Sequence, residues 1–216
     1  RAAIDLVDTG SVADAESLAK QLDLSQVQMK TAYALKSKLG LKLLTIEPSR
    51  GLAQLEDAYL SYPEVRQPEM DQRLLEAYLA TDRLPQARRM VMELAGKYRD
   101  DVSVGPDFLK AALMWANRLY DRREYREAAE AYALAGEVRP EAAGSMANGR
   151  NGPHWADFQR ANSLLAAGDS RGSLELFESI VKNNGPWADE AKVIAEHLRI
   201  EQRLRGDNSS MAGRVS

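Results

Sequence analysis

From Ala188 onward, apolar residues fall at 188, 191, 194, 195 and 198, the three-and-four spacing of one helical face. Lys192, Glu196, Arg199 and Arg203 line the opposite side. The same rhythm recurs upstream, in blocks separated by Gly, Pro, Asp and Asn, and each block predicts a helix. Val, Ile and Thr never alternate over a useful length, so no strand is predicted. The blocks group in pairs. The clearest pair spans 107–140: FLKAALMWANRLY, the polar turn Asp121-Arg122-Arg123-Glu124, then YREAAEAYALAGEV, closed by Pro140. Two antiparallel helices approach closely where side chains are small, here Ala116 and Ala128, and Tyr132 is sized to fill the groove between them.

The second helix reads Ala128-x3-Tyr132-x2-Ala135-x4-Pro140, with Ala116 and Leu119 upstream and Tyr125 and Glu127 after the turn. This resembles the tetratricopeptide repeat (TPR) family. Leu74, Tyr78, Ala87, Val91 and Leu94 fit the same pattern within 71–99, around the turn Thr81-Asp82-Arg83. Ala161, Leu164, Ser173, Phe177 and Ile180 fit it within 155–183, around Gly168-Asp169. Residues 1–62 are degenerate. Ala15 after Gly10-Ser11 reads as the second half of a truncated repeat, and Ala53 lies one family period of 34 before Ala87. The excess spacing between later anchors falls in two linkers, 100–106 and 141–153. The resemblance implies an all-α α-solenoid of antiparallel helix pairs, about 71–99, 107–140 and 155–183 within 63–183. A capping helix over 184–205 and a disordered tail over 206–216 complete the expected organisation.

Composition narrows the function. A net charge of −3 and a pI near 5.6 argue against a nucleic-acid partner. With no cysteine, disulfides, thiol catalysis and zinc-thiolate sites are excluded. No apolar run reaches the roughly 20 residues that cross a bilayer, so no membrane insertion is expected. The chain opens at Arg1 and reads as a fragment, which leaves the compartment open between a bacterial envelope and cytoplasm. His154 and His197 have no partner at metal-ligand spacing, and the glycines of 144–153 lack the Lys-Ser/Thr ending of a phosphate loop. No catalytic residue, metal or cofactor is therefore expected, and the chain reads as a non-enzyme.

The resemblance instead implies a concave groove lined by the first helix of each pair. Carried onto this chain, it comprises Met114, Asn117 and Tyr120, with Lys110, Leu113 and Asp121 beside them, then Trp155, Phe158, Gln159, Asn162 and Leu165. Glu69, Gln72, Arg73 and Glu76 extend it upstream. Asn117 and Asn162 stand where peptide-binding members keep an Asn that grips a ligand backbone. Leu113 stands where chaperone-binding members keep a Lys, so a C-terminal carboxylate clamp is not expected. Two occupants fit the aromatic residues: a partner segment, or the 141–153 linker folded back. Arg83, Arg88 and Arg89, with Lys97 and Arg99, form a secondary basic patch, read either as a solvated face or as a receiver of acidic segments. The expected function is a scaffold or adaptor binding a partner protein or peptide. The alternatives are a structural spacer of a larger polypeptide and a helical enzyme. The stretch NNGPWADEAK is similar to spacers in bacterial cell-envelope repeat proteins, which points to a secretion, export or motility assembly.

Overall fold

The computed structural model describes residues 2–21, 28–98, 100–139, 143 and 152–212, with side chains described as far as Leu204. Among them are eleven α-helices, one short 3-10 turn and no strand. The helices are α1 (Ala2–Asp8), α2 (Val12–Gln21), α3 (Met29–Leu44), α4 (Pro48–Ser61), α5 (Pro68–Ala80) and α6 (Leu84–Tyr98). They continue with α7 (Gly105–Asp121), α8 (Tyr125–Gly136), α9 (Pro153–Ala166), α10 (Ser170–Asn183) and α11 (Ala188–Ala212). The fold is all-α and built of TPR-like antiparallel pairs, of the α-solenoid class. The chain divides into two compact units, Arg1–Met90 and Val91–Ser216, and the division falls within α6.

In each pair, two residues twelve apart, one on each helix, are withdrawn from solvent: Ala3 and Ala15, Gly40 and Leu52, Leu75 and Ala87, Ala116 and Ala128, Ala161 and Ser173. All ten are buried, and most are fully so. Ala116, Ala128, Ala161 and Ser173 are each fully buried, as close helix packing at these positions requires. Leu74 and its neighbour Leu75 are both buried. Elsewhere the structure corrects the sequence pattern. Ala53 is exposed and takes no part. In α3–α4 the close approach belongs to glycine. A Cβ on Gly51 would lie 2.3 Å from the Leu44 backbone nitrogen, and one on Gly40 would lie 2.7 Å from Leu55 Cγ. Residues 2–21 are likewise a complete short pair, α1 packed on α2, rather than half a repeat. Val7, Leu35 and Leu39 join Ala3 and Ala15 in that core.

The turns repeat too. Gly10, Asp82, Arg123 and Gly168 all have positive φ, between 58° and 94°. Each precedes the small residue of its second helix by five positions. The next residue donates its N–H back across the turn to the carbonyl five earlier: Ser11 to Leu6, Arg83 to Tyr78, Glu124 to Leu119 and Asp169 to Leu164, at 2.8–3.0 Å. This is the left-handed helix stop, which satisfies carbonyls left open at a helix end. It reverses the chain within three residues and so forces the following helix antiparallel. In α9–α10 the Asp169 carboxylate then accepts from Gly172 N–H at 2.9 Å, capping α10.

In the second unit the aromatic side chains fill the grooves that the small residues leave. Tyr132 and Phe177 are 2% and 0% exposed. The last helix seats Ala191, Ala195 and Leu198 against Phe177. Its outer side carries the expected charges but also exposed Val193, Ile200 and Leu204. It runs on to Ala212, through Gly206, where the sequence pattern ended it. Most of the 141–153 linker, Arg99 and residues 213–216 lie outside the described residues.

Candidate functional site

The α7 helix presents a continuous polar row. Lys110, Met114, Asn117 and Asp121 follow one another at four, three and four residues, the spacing of a single helical face, and all four are exposed. Leu113, next to Met114, is turned inward and only 7% exposed. It belongs to the core and not to the groove. Asn117 is held in place: Tyr132 donates its hydroxyl to Asn117 Oδ1 at 2.5 Å. With its carbonyl occupied, the amide has its N–H donors left to offer outward. Burial pushes the Tyr132 phenol well above its usual value, and the neighbouring Tyr120 and Asp121 add to the shift. The hydroxyl therefore stays protonated and remains a donor. Tyr120 is half-buried, edge-on to Tyr125 with centroids 5.2 Å apart. It braces the turn more than it offers a surface.

On α9 the aromatic pair packs against Phe177 and Trp187. Phe158 is 8% exposed and packs edge-on against Phe177 at 5.5 Å. Trp187, just before α11, stacks on Phe158 and tilts against Trp155, both at 4.8 Å. Trp155 is partly buried in the same cluster. Of the expected groove residues, the structure thus leaves Met114 and Asn117 open. Gln159 and Asn162 are half-exposed on α9. Trp155 and Phe158 are joined to the terminal helix. The closing partner, Trp187, was missed by the sequence pattern because it lies in a spacer and 29 residues beyond Phe158.

In the first unit, Arg83, Arg88 and Arg89 are exposed, near the start of α6. Glu69 and Arg73 are exposed on α5, while Gln72 and Arg73 both donate to the Glu76 carboxylate.

A second concave feature lies between α8 and α9. It is an open cleft of about 540 Å³ lined by Arg126, Ala129, Glu130, Ala133, Arg160 and Asp169, among others. Its register is fixed by a close contact at the far end of the same helix pair. There Asp157 Oδ1 lies 2.7 Å from where a Cβ on Gly136 would stand. Burial raises the Asp157 carboxyl above its ordinary range, against the opposing pull of His154 and Arg160. His154 lies beside Gly185, and exposed His197 pairs with Glu201 at 3.2 Å. Among the described residues, no three His, Asp or Glu side chains gather to hold a metal ion, and no helix is long and apolar enough to cross a membrane.

No protein-family model matches the chain, and no curated protein matches it. Solved structures do resemble it. A MamA point mutant superposes with a TM-score of 0.50 at 16% identity, covering 84% of this chain and 88% of that one. MamA AMB-1 gives a TM-score of 0.48 at 16% identity over 87% and 95% of the two chains. TPR-like repeats from Podosopora anserina give 0.46 at 15% identity over 82% and 89%. The first of these supports the helical-repeat fold, and at such low identity it supports the fold alone.

Proposed function

We propose that the chain is a non-catalytic interaction scaffold that binds a partner protein or peptide on the first-helix face of its second unit. The carrying observation is the exposed row Lys110, Met114, Asn117 and Asp121 on α7. Met114 supplies an adaptable apolar contact, and Asn117, its carbonyl pinned by Tyr132, supplies donors for a partner's backbone carbonyls. Gln159 and Asn162 extend this face along α9. Trp155 and Phe158 serve it from behind, by fixing α9 against the terminal helix. The fold supports this reading because stacked helix pairs offer extended surfaces rather than enclosed pockets. The NNGPWADEAK spacer favours a place in a bacterial secretion, export or motility assembly. The TPR-like, all-helical architecture also fits a spacer, which would hold its neighbours apart without gripping a partner.

Site-specific photo-crosslinking in the native host separates the two. A benzophenone amino acid at position 114 or 162 should trap one discrete partner, and the same group at exposed Arg171 should not. Replacing Asn117 with Ala should weaken the crosslink at 114. Equal background at 114, 162 and 171 would favour the spacer.

A further inference from the structure

The last helix, α11, leaves one face uncovered. Val193, Ile200 and Leu204 are 68%, 55% and 59% exposed, and exposed His197 stands between the first two. The four follow at four, three and four residues, which keeps them in one stripe. The stripe lies opposite the side that seats Ala191, Ala195 and Leu198 on Phe177. A single exposed apolar residue needs no explanation, but this spacing is that of a seam along which one helix packs on another.

The charges beside the stripe select its occupant. Glu196 and Arg203 are seven residues apart, so they share one flank, and both are exposed. Among the described residues, neither takes part in a hydrogen bond or ion pair, whereas the neighbouring Arg199 is held by Glu178. Consider a second copy of the helix laid antiparallel, with the two-fold axis between residues 198 and 199. Val193 then meets Leu204 of the second copy, and His197 meets Ile200. The same register brings Glu196 of each copy beside Arg203 of the other, twice by symmetry. A parallel copy would set Glu196 against Glu201 of the other, like charge against like. In the antiparallel arrangement Glu201, on the far flank, keeps its own His197 at 3.2 Å.

We infer that the outer face of α11 docks a second copy of this chain, antiparallel and two-fold symmetric. From Val193 to Leu204 the seam is about 16 Å long, at about 1.5 Å per residue. Three turns fall short of the roughly 1,200 Å² that a permanent interface buries, so the pairing is reversible and concentration-dependent. This face is separate from the α7 row, and the inference does not depend on what binds there.

Sedimentation equilibrium of the whole chain, over about 10 μM to 1 mM, is the test. The parent should pass from monomer to dimer. Ile200→Glu enters the seam twice and should weaken the dimer at least about tenfold. Glu196→Arg alone and Arg203→Glu alone should each weaken it about fivefold, and added salt should shrink both effects. Mixing these two single variants restores both cross-pairs, so the mixture should associate about as tightly as the parent. All three positions are exposed, and circular dichroism checks the fold of each variant. A chain that stays monomeric throughout, a dimer indifferent to Ile200→Glu, or a mixture no tighter than its components would overturn the inference. So would flotation with phosphatidylglycerol vesicles, lost in Ile200→Glu, in place of self-association. Such a failure leaves crosslinking at position 114 untouched, so the two readings fail separately.

Discussion

Ser173 shows how narrowly each helix contact is specified. It occupies the small-residue position that Ala15, Ala87 and Ala128 fill in other pairs, and it is 0% exposed. Its hydroxyl finds no partner there. A buried polar group without a hydrogen bond costs about 1–3 kcal/mol, while Ala fits the same space. Ser173→Ala should therefore raise stability by about 1 kcal/mol, read as a higher denaturant midpoint with an unchanged slope. An unchanged or lower midpoint would mean that the hydroxyl is satisfied in solution. Gly51 carries the opposite lesson. There even a methyl group meets the Leu44 backbone, which cannot move aside as a side chain can. Such a residue is hard to recognise in one sequence, because a helical Gly looks like a defect until its neighbour is known. That is why the α3–α4 pair was blurred while 107–140 was plain: Ala116, Ala128, Tyr132 and Ala135 state their fit by size alone.

Among the elements, the turns divide into two kinds by chemistry. Gly10 and Gly168 adopt positive φ without a Cβ penalty, whereas Asp82 and Arg123 bear it. That penalty is about 1–2 kcal/mol for an L-residue, less for Asp, and it is partly offset by the freedom Gly gains in the unfolded chain. Arg123→Gly should then stabilise by roughly 0.5–1 kcal/mol, and Gly168→Ala should destabilise by about 1 kcal/mol, in matched urea melts. If both changes moved stability the same way, the left-handed turn would not be the common element. The α8–α9 pair holds a further lever in Asp157. Its folded-state carboxyl is raised by burial, so its contribution to stability is greatest below the ordinary carboxylate range, about 3.9, and is lost as pH rises through the raised value. Asp157→Asn cannot ionise. It should be more stable than the parent at neutral pH, and the advantage should shrink as pH falls towards 4. Melts at the two pH values check the sign. The sequence located the turns and the helices, because breaks and periodicity are local. It did not locate the packing of Trp155 and Phe158 on Trp187, nor the α8–α9 cleft. Both depend on which helices become neighbours, and the first-helix pattern alone reads Trp155 and Phe158 as groove residues.

At the scale of the whole molecule, the largest packings join helices adjacent in sequence: α3 with α4, and α7 through α11 in succession. A fold assembled from such local interfaces has a stability close to a sum of repeat and nearest-neighbour terms, so damage should stay near its source. Tyr132 is the sharpest place to test this. It is fully enclosed between α7 and α8, and its hydroxyl orients Asn117 on the exposed α7 row. Tyr132→Ala should cost about 3–5 kcal/mol locally, as other large aromatic truncations do. Amide hydrogen exchange then has a clear expectation. Protection in α7–α10 should fall by roughly 100-fold or more, while α1–α4 exchange at nearly parental rates. Uniform loss across the chain would mean that the molecule unfolds as one cooperative body. The milder Tyr132→Phe separates packing from orientation. It keeps the ring and removes the hydrogen bond to Asn117, so exchange should change little. If the α7 row is the binding face, crosslinking at position 114 should nevertheless weaken, because Asn117 is then free to turn.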